Sequence, residues 1–304
     1  MSFTVTILGF NSAIPKANNH PTSQLVNVNE RYLLIDCGEG TQVQLRRAKV
    51  KFTKINHIFI SHLHGDHVFG LIGLLSTLQL LGKKTDMHIY GPLGIQDFIE
   101  NQFKHTGAYN TYPIHFHELS HTDSRLIYED KKIEVYNIPL DHRVYCNGYM
   151  IKEKPKLKSL NIQAIQSHSE IEICDYHNIK KGLNFISENG TIIPNETLTF
   201  PPIPPKSYAF CSDTKYKEDL IPIIEACDLL YHEATFLHEL KEMADKTGHS
   251  TAKEAATIAL KAKAKKLIIG HFSNRYPDPT VLLNEARSIF PETYLPHLLE
   301  PIEV

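Results

Sequence analysis

The sequence predicts a layered α/β protein. Three observations carry this reading. Short apolar segments bounded by turn residues recur along the chain. Helical stretches lie between them. His and Asp residues gather just after several of the apolar segments, where layered α/β folds build their sites.

The elements follow in order. Residues 3–8 and 31–36 read as strands. Gly38-Glu39-Gly40-Thr41 turns into a helix near residues 41–47. Residues 55–60 form the next strand, and residues 68–75 read as a buried helix. Met87-His88-Ile89-Tyr90 is a strand, and Gly91-Pro92-Leu93-Gly94 leads into a helix around residues 94–103. Residues 132–138 alternate as a strand does. The texture then changes. Lys152, Lys154, Lys156 and Lys158 alternate with other residues, and a polar, irregular stretch ends in Phe200-Pro201-Pro202-Ile203-Pro204-Pro205-Lys206. Residues 152–205 therefore read as an inserted, protruding arm within a single domain spanning residues 1–304. Strands resume at residues 207–211, 227–232 and 267–270. A helix over residues 251–263 opens on a capping box, with Thr251 as cap and Glu254 three residues on.

Bulk properties exclude several classes. The chain has 304 residues, 42% hydrophobic and 22% charged, as in ordinary globular proteins. At a net charge of −2, any nucleic-acid binding rests on local patches. The N-terminus reads as a first strand, not a signal peptide. The apolar run at residues 68–81 is broken by Ser76, Thr77 and Gln79, too short and polar to cross a membrane. Cys37, Cys146, Cys174, Cys211 and Cys227 are odd in number and include no Cys-x-x-Cys pair. They read as reduced thiols, so a cytoplasmic protein is expected.

The most informative segment is Ser61-His62-Leu63-His64-Gly65-Asp66-His67. Imidazole and carboxylate are the donors that zinc-type ions take in catalytic sites. Without a cation, four such groups would compete for few partners. The alternative is surface histidines in a polar loop. The strand before and the helix after favour the metal centre, with Gly65 expected to let the backbone bend. Further donors are expected after other strands, in Leu140-Asp141-His142, Cys211-Ser212-Asp213 and Ile269-Gly270-His271. Asp141 rivals His142, and Asp213 could instead cap a turn. His115-Phe116-His117 lacks a following Asp-His and reads as structural.

His-x-His-x-Asp-His followed by distant His, Asp and His resembles the metallo-β-lactamase superfamily. Within it the chain resembles the ribonuclease Z family, on residues 34–42, 61–75 and 210–214, His232-Glu233-Ala234-Thr235 and His249-Ser250-Thr251. The first motif marks only the superfamily; His-Glu-Ala-Thr with His-Ser-Thr narrows it. The resemblance spans nearly the whole chain apart from the arm, and it implies a four-layer αββα sandwich. It implies two zinc ions per subunit, with manganese or another divalent metal as the alternative. His62, His64 and His142 would hold the first ion, Asp66, His67 and His271 the second, and Asp213 would bridge. Asp66 would also orient the attacking water. His249 would protonate the leaving 3′ oxygen, with Glu233 orienting it. The implied activity removes the 3′ trailer from precursor tRNA, leaving a 3′-hydroxyl on the tRNA and a 5′-phosphate on the trailer. The implied assembly is a homodimer whose arm clamps the tRNA.

Candidate phosphate contacts are Arg46, Arg47, Lys49, Lys51 and Lys54, then Lys261, Lys263, Lys265 and Lys266, and above all the lysines of residues 152–158. The chain departs from the family where bacterial arms carry a Gly-Pro-rich motif, which is here Cys174-Asp175-Tyr176-His177-Asn178-Ile179-Lys180-Lys181-Gly182-Leu183. The loop that usually bears an Arg-Asn pair reads Pro15-Lys16-Ala17-Asn18-Asn19-His20-Pro21. Other readings are a phosphodiesterase of small or cyclic diesters, a hydrolase of a lactam or thioester, and a non-catalytic RNA-binding relative. The arm argues against the first and the full donor set against the last.

Overall fold

Near-continuous apolar runs decide the architecture, because both faces of the central strands are buried. The computed structural model describes residues 2–304 except 15, 17, 18, 109 and 110, so the N-terminal loop singled out above lies partly outside the described residues. The chain divides into two compact units. The larger comprises the chain up to Glu129, Ile133–Lys152 and Lys206–Val304.

In chain order the strands of the first sheet are β1 (Phe3–Gly9), β2 (Ser23–Val28), β3 (Arg31–Ile35), β4 (Ile55–Phe59), β5 (Met87–Pro92) and β6 (Ile114–Leu119). Then come β7 (Leu126–Glu129), β8 (Ile133–Pro139) and β9 (Asn147–Glu153). The smaller unit contributes β10 (Ser159–Leu160), β11 (Phe185–Ile186), β12 (Ile192–Ile193) and β13 (Thr199–Phe200). The chain closes with β14 (Ser207–Cys211), β15 (Leu229–Glu233), β16 (Leu267–Gly270), β17 (Thr293–Tyr294) and β18 (Pro301–Glu303). One seven-stranded sheet runs β18-β1-β2-β3-β4-β5-β6, and the other β17-β16-β15-β14-β9-β8-β7. Strands β3 to β6 are parallel, as are β14 to β17.

Val5, Ile7, Val26, Val28, Leu33, Ile35 and Phe59 share a core with Tyr149, Tyr208, Phe210 and Tyr231 of the other sheet. Their sequence neighbours Leu8, Leu25, Leu34 and Ile58 point the other way. There they pack on Leu45, Leu71, Leu74 and Leu78 of helices Thr41–Arg47 and Leu71–Leu80. The second sheet carries helix Ala252–Lys261, whose buried Ala252, Ala255, Ala256 and Ala259 allow close approach. The four-layer αββα sandwich is thus the observed architecture. The predicted capping box is present: Thr251 accepts from the Glu254 amide, and Glu254 accepts from the Thr251 amide at 3.0 Å. No helix among the described residues is long and apolar enough to cross a membrane.

The sequence reading missed β2 and β9 and helix Thr280–Arg287. It also ran residues 68–75 into one helix. The chain instead makes a short turn of helix over Gly65–Val68 and begins the long helix at Leu71.

The smaller unit comprises Asp130–Lys132 and Glu153–Pro205. Strand β10 pairs with β13, and β11 with β12. Ile165, Ile171, Ile179, Ile193 and Leu198 form a core of its own. Asn195 organises its backbone. The side-chain amide donates to the carbonyls of Ile179 at 2.7 Å and Leu183 at 2.9 Å. Its oxygen accepts from Lys158 at 2.8 Å and Thr199 at 3.0 Å. Removing a buried partner leaves its neighbours unsatisfied, at about 1–3 kcal/mol. Asn195→Ala should therefore destabilise this unit by about that amount, read as faster amide hydrogen exchange across residues 158–199. Exchange unchanged from wild type would remove Asn195 from this role.

Candidate metal centre

The parallel strands of both sheets deliver their carboxyl ends to one place. Residues 61–67 follow β4, Asp213 follows β14, Glu233 ends β15, His271 follows β16, and His142 follows β8. Gly65 opens the short helix Gly65–Val68 with an ordinary negative φ. The predicted bend is therefore not its role. A Cβ there would meet the exposed Phe69 ring at 2.2 Å and would have to push that ring aside.

Donor atoms fall into two groups. In one, His62 Nε2 lies 2.9 Å from His64 Nδ1, and His142 Nε2 lies 3.4 Å from that same atom. Asp213 Oδ2 is 3.7 Å from His62 Nε2 and 3.9 Å from His142 Nε2. In the other, Asp66 Oδ2 is 3.4 Å from both His67 Nε2 and His271 Nε2. Asp213 Oδ1 is 3.5 Å from His67 Nε2 and 3.3 Å from His271 Nε2. The two oxygens of Asp213 thus face different groups. Asp141, the rival to His142, is exposed and belongs to neither.

The outer nitrogens explain how the rings are held. His67 Nδ1 donates to Asp36 Oδ2 at 2.7 Å. His142 Nδ1 donates to the Gly248 carbonyl at 2.7 Å. His271 Nδ1 lies 3.0 Å from Thr235 Oγ1, which itself donates to Glu233 Oε2. His62 Nδ1 lies 3.0 Å from Ser61 Oγ, which donates to Asp36 Oδ2. The network therefore assigns each of these protons to the outer nitrogen and leaves a lone pair facing inward. His67 Nε2 is buried and finds no hydrogen-bond partner among the described residues. A buried acceptor without a donor is costly, and a cation would satisfy it. The donor set therefore suits divalent metal.

Electrostatics favour positive charge here: against burial, Asp213 and Asp36 raise the pKa of His67 well above its ordinary value, a charge that a cation at Nε2 would supply in place of a proton. Burial opposes charge on Asp213, but His271, His67 and the neighbouring imidazoles outweigh it and hold the carboxyl below its ordinary range. Asp66 is likewise held low by His271 and His67 against burial. Asp36 and His271 both adopt left-handed backbone, φ 54° and 60°. Asp and His are among the non-glycine residues that enter this region most readily.

His249 lies beside the donors, with Nδ1 2.8 Å from Glu233 Oε1 and 4.0 Å from Asp213 Oδ2. Burial disfavours its charge, yet Glu233 and Asp213 prevail and the ring is pushed up to about 9. Glu233 is fully buried and accepts also from the Thr214 amide and from the Thr235 amide and hydroxyl. A cavity of about 590 Å³ opens on Asp66, Asp213, His249 and His271, with Arg143 and Arg275 in its wall.

Comparisons fit this geometry. The ribonuclease Z of Bacteroides thetaiotaomicron is 45% identical over 293 residues, 96% of this chain and 92% of that one. The ribonuclease Z of Porphyromonas gingivalis is 46% identical over 295 residues, 96% of each chain. The chain belongs to the ribonuclease Z family. A family model described as Anti-Pycsar protein Apyc1 also matches residues 3–281, and the chain falls within that family too. The crystal structure of human tRNase Z, short form, matches at a TM-score of 0.72 and 26% identity over 98% of both chains. The metallo-β-lactamase fold protein YhfI from Bacillus subtilis gives 0.68 at 20% identity over the full length of both, a likeness of fold.

The ribonuclease Z motifs acquire physical roles here. In His-Glu-Ala-Thr, Glu233 holds His249 while Thr235 links Glu233 to His271. In His-Ser-Thr, Ser250 donates to the Thr214 carbonyl and Thr251 caps a helix. Sequence reasoning gave no part to Ser61, Thr235 or Gly248, nor to Asp36 as a partner of His67. Asp36 stood in a matched segment, but its partner is 31 residues away. Gly248 ends helix Lys241–Thr247 at φ 79°, and a Cβ there would meet His142 Nδ1 at 2.8 Å.

Proposed function

We propose that this chain is a two-metal endoribonuclease that removes the 3′ trailer from precursor tRNA. The single observation that supports it best is the division of Asp213, one oxygen toward each donor group. His62, His64 and His142 would hold the first cation, and Asp66, His67 and His271 the second, with Asp213 between them. Zinc fits these nitrogen and oxygen donors best, and manganese is the alternative. Bound there, the pair supplies Lewis-acid activation of water and neutralises charge on the phosphoryl oxygens.

The protein's own groups do the rest. Asp66 lies in the cavity wall and orients the attacking water. His249 carries its proton at neutral pH because Glu233 holds Nδ1. Its Nε2 is left to protonate the departing 3′ oxygen. The products are a 3′-hydroxyl on the tRNA and a 5′-phosphate on the trailer. Arg143 and Arg275 offer guanidinium groups to flanking phosphates. The curated relatives bear the name ribonuclease Z over nearly their whole length, which favours RNA over a small diester. The smaller unit would grip the tRNA body. The enzyme would work as a cytoplasmic homodimer.

The purified protein should cut precursor tRNA at the 3′ end of the tRNA body. Hydrolysis of small or cyclic diesters with precursor tRNA left intact would replace this reading with the small-substrate one. Asp213→Ala should bind at least one metal ion per chain fewer than wild type by elemental analysis, and metal content equal to wild type would sink the bridging assignment. His249→Ala should keep its metal and lose about 10²–10⁴-fold in kcat. Turnover equal to wild type would remove His249 from the reaction.

A further inference from the structure

The first sheet carries a second imidazole cluster at the amino ends of its parallel strands. His57 of β4, His88 of β5 and His115 of β6 are direct cross-strand partners, so their side chains stand on one face. The His57 and His88 rings stack with centroids 5.1 Å apart, and His88 and His115 with centroids 4.8 Å apart. His117, two residues along β6 and so on the same face, places Nε2 3.1 Å from His88 Nδ1. Asp86, just before β5, places Oδ2 3.0 Å from His115 Nε2. One donor atom from each of Asp86, His88 and His115 lies within 4.8 Å of the others.

We propose that Asp86, His88 and His115 form a further site for a first-row divalent cation of the zinc class, separate from the catalytic centre. Two imidazoles and a carboxylate are donors such ions accept. The donors are set by strand register, so their spacing is built into the sheet. His117 hydrogen-bonds the middle ligand and orients it, as outer partners of metal-bound histidines do. The His115 and Asp86 side chains are about half exposed, at 46% and 54%. The cation would therefore exchange with solvent and keep water ligands. Strand β6 is the edge of its sheet. A cation here ties that edge to β5 and to the turn before it. Four residue steps run from His57, the register partner of His88, to Ser61 and put the catalytic cluster about 13 Å away, so this site takes no part in hydrolysis.

The test uses the protein with its catalytic metal in place, dialysed against zinc chloride alone. Wild type should bind one zinc more than the His88→Gln/His115→Gln double variant. Its Tm should rise by several degrees on adding zinc, and the variant's should not. Cleavage activity should be equal in both. His115→Gln alone changes an exposed position, and it should lose the same equivalent with an unchanged circular dichroism spectrum. Asp213→Ala protein should retain the extra equivalent, which separates this site from the catalytic reading. Equal zinc content and equal Tm response in wild type and both His variants would overturn the proposal and leave His115 and Asp86 a simple ion pair.

Discussion

The centre depends on fixing which nitrogen of each histidine carries a proton. Imidazole offers a metal one lone pair only when its other nitrogen holds the hydrogen. Here His62, His67, His142 and His271 each have an outer oxygen within hydrogen-bond reach: Ser61 Oγ, Asp36 Oδ2, the Gly248 carbonyl and Thr235 Oγ1. Two of these acceptors converge on Asp36, which is fully buried and takes the Ser61 amide, the Ser61 hydroxyl and His67. A buried carboxylate without such donors would be costly. With them it becomes the anchor from which two inward-facing nitrogens are aimed.

Glu233 does the same on the opposite side and joins two functions. One oxygen takes His249 and the Thr214 amide; the other takes Thr235, whose hydroxyl meets His271. The proposed proton donor and one proposed ligand are therefore set by the same carboxylate. Its position at the last residue of β15, between β14 and β16, makes that sharing possible. A shift of this strand would move both groups together.

Much of this was legible in the sequence because polar residues directly after apolar strands have few places to go. That rule alone singled out Asp213 and His271, and His142 with Asp141 as its rival. The supporting groups were not, since Asp36–His67 and Gly248–His142 join positions 31 and 106 residues apart. Strand β2 escaped because Ser23, Gln24 and Asn27 interrupt its apolar alternation. Ser23 and Gln24 are nonetheless buried: the Ser23 hydroxyl donates to the Asp36 carbonyl, and Gln24 Oε1 accepts from the Tyr208 hydroxyl. The smaller unit read as irregular because its five core aliphatics, between residues 165 and 198, follow neither a 2.0 nor a 3.6 period.

The two ends of the first sheet show how burial sorts similar side chains. At the carboxyl ends, His62 and His67 are wholly buried and lie beside Asp213, so charge and lone pairs interact in a low-dielectric setting. At the amino ends, His88 and His115 sit on the same kind of register with a carboxylate, but His115 and Asp86 are about half exposed to water. Screening there weakens every electrostatic term. Strand register can place imidazoles at either end. Reactivity needs the enclosure that only the junction of both sheets provides, which is why β14, β15 and β16 contribute Asp213, Glu233 and His271 to one end and leave the other to the first sheet alone.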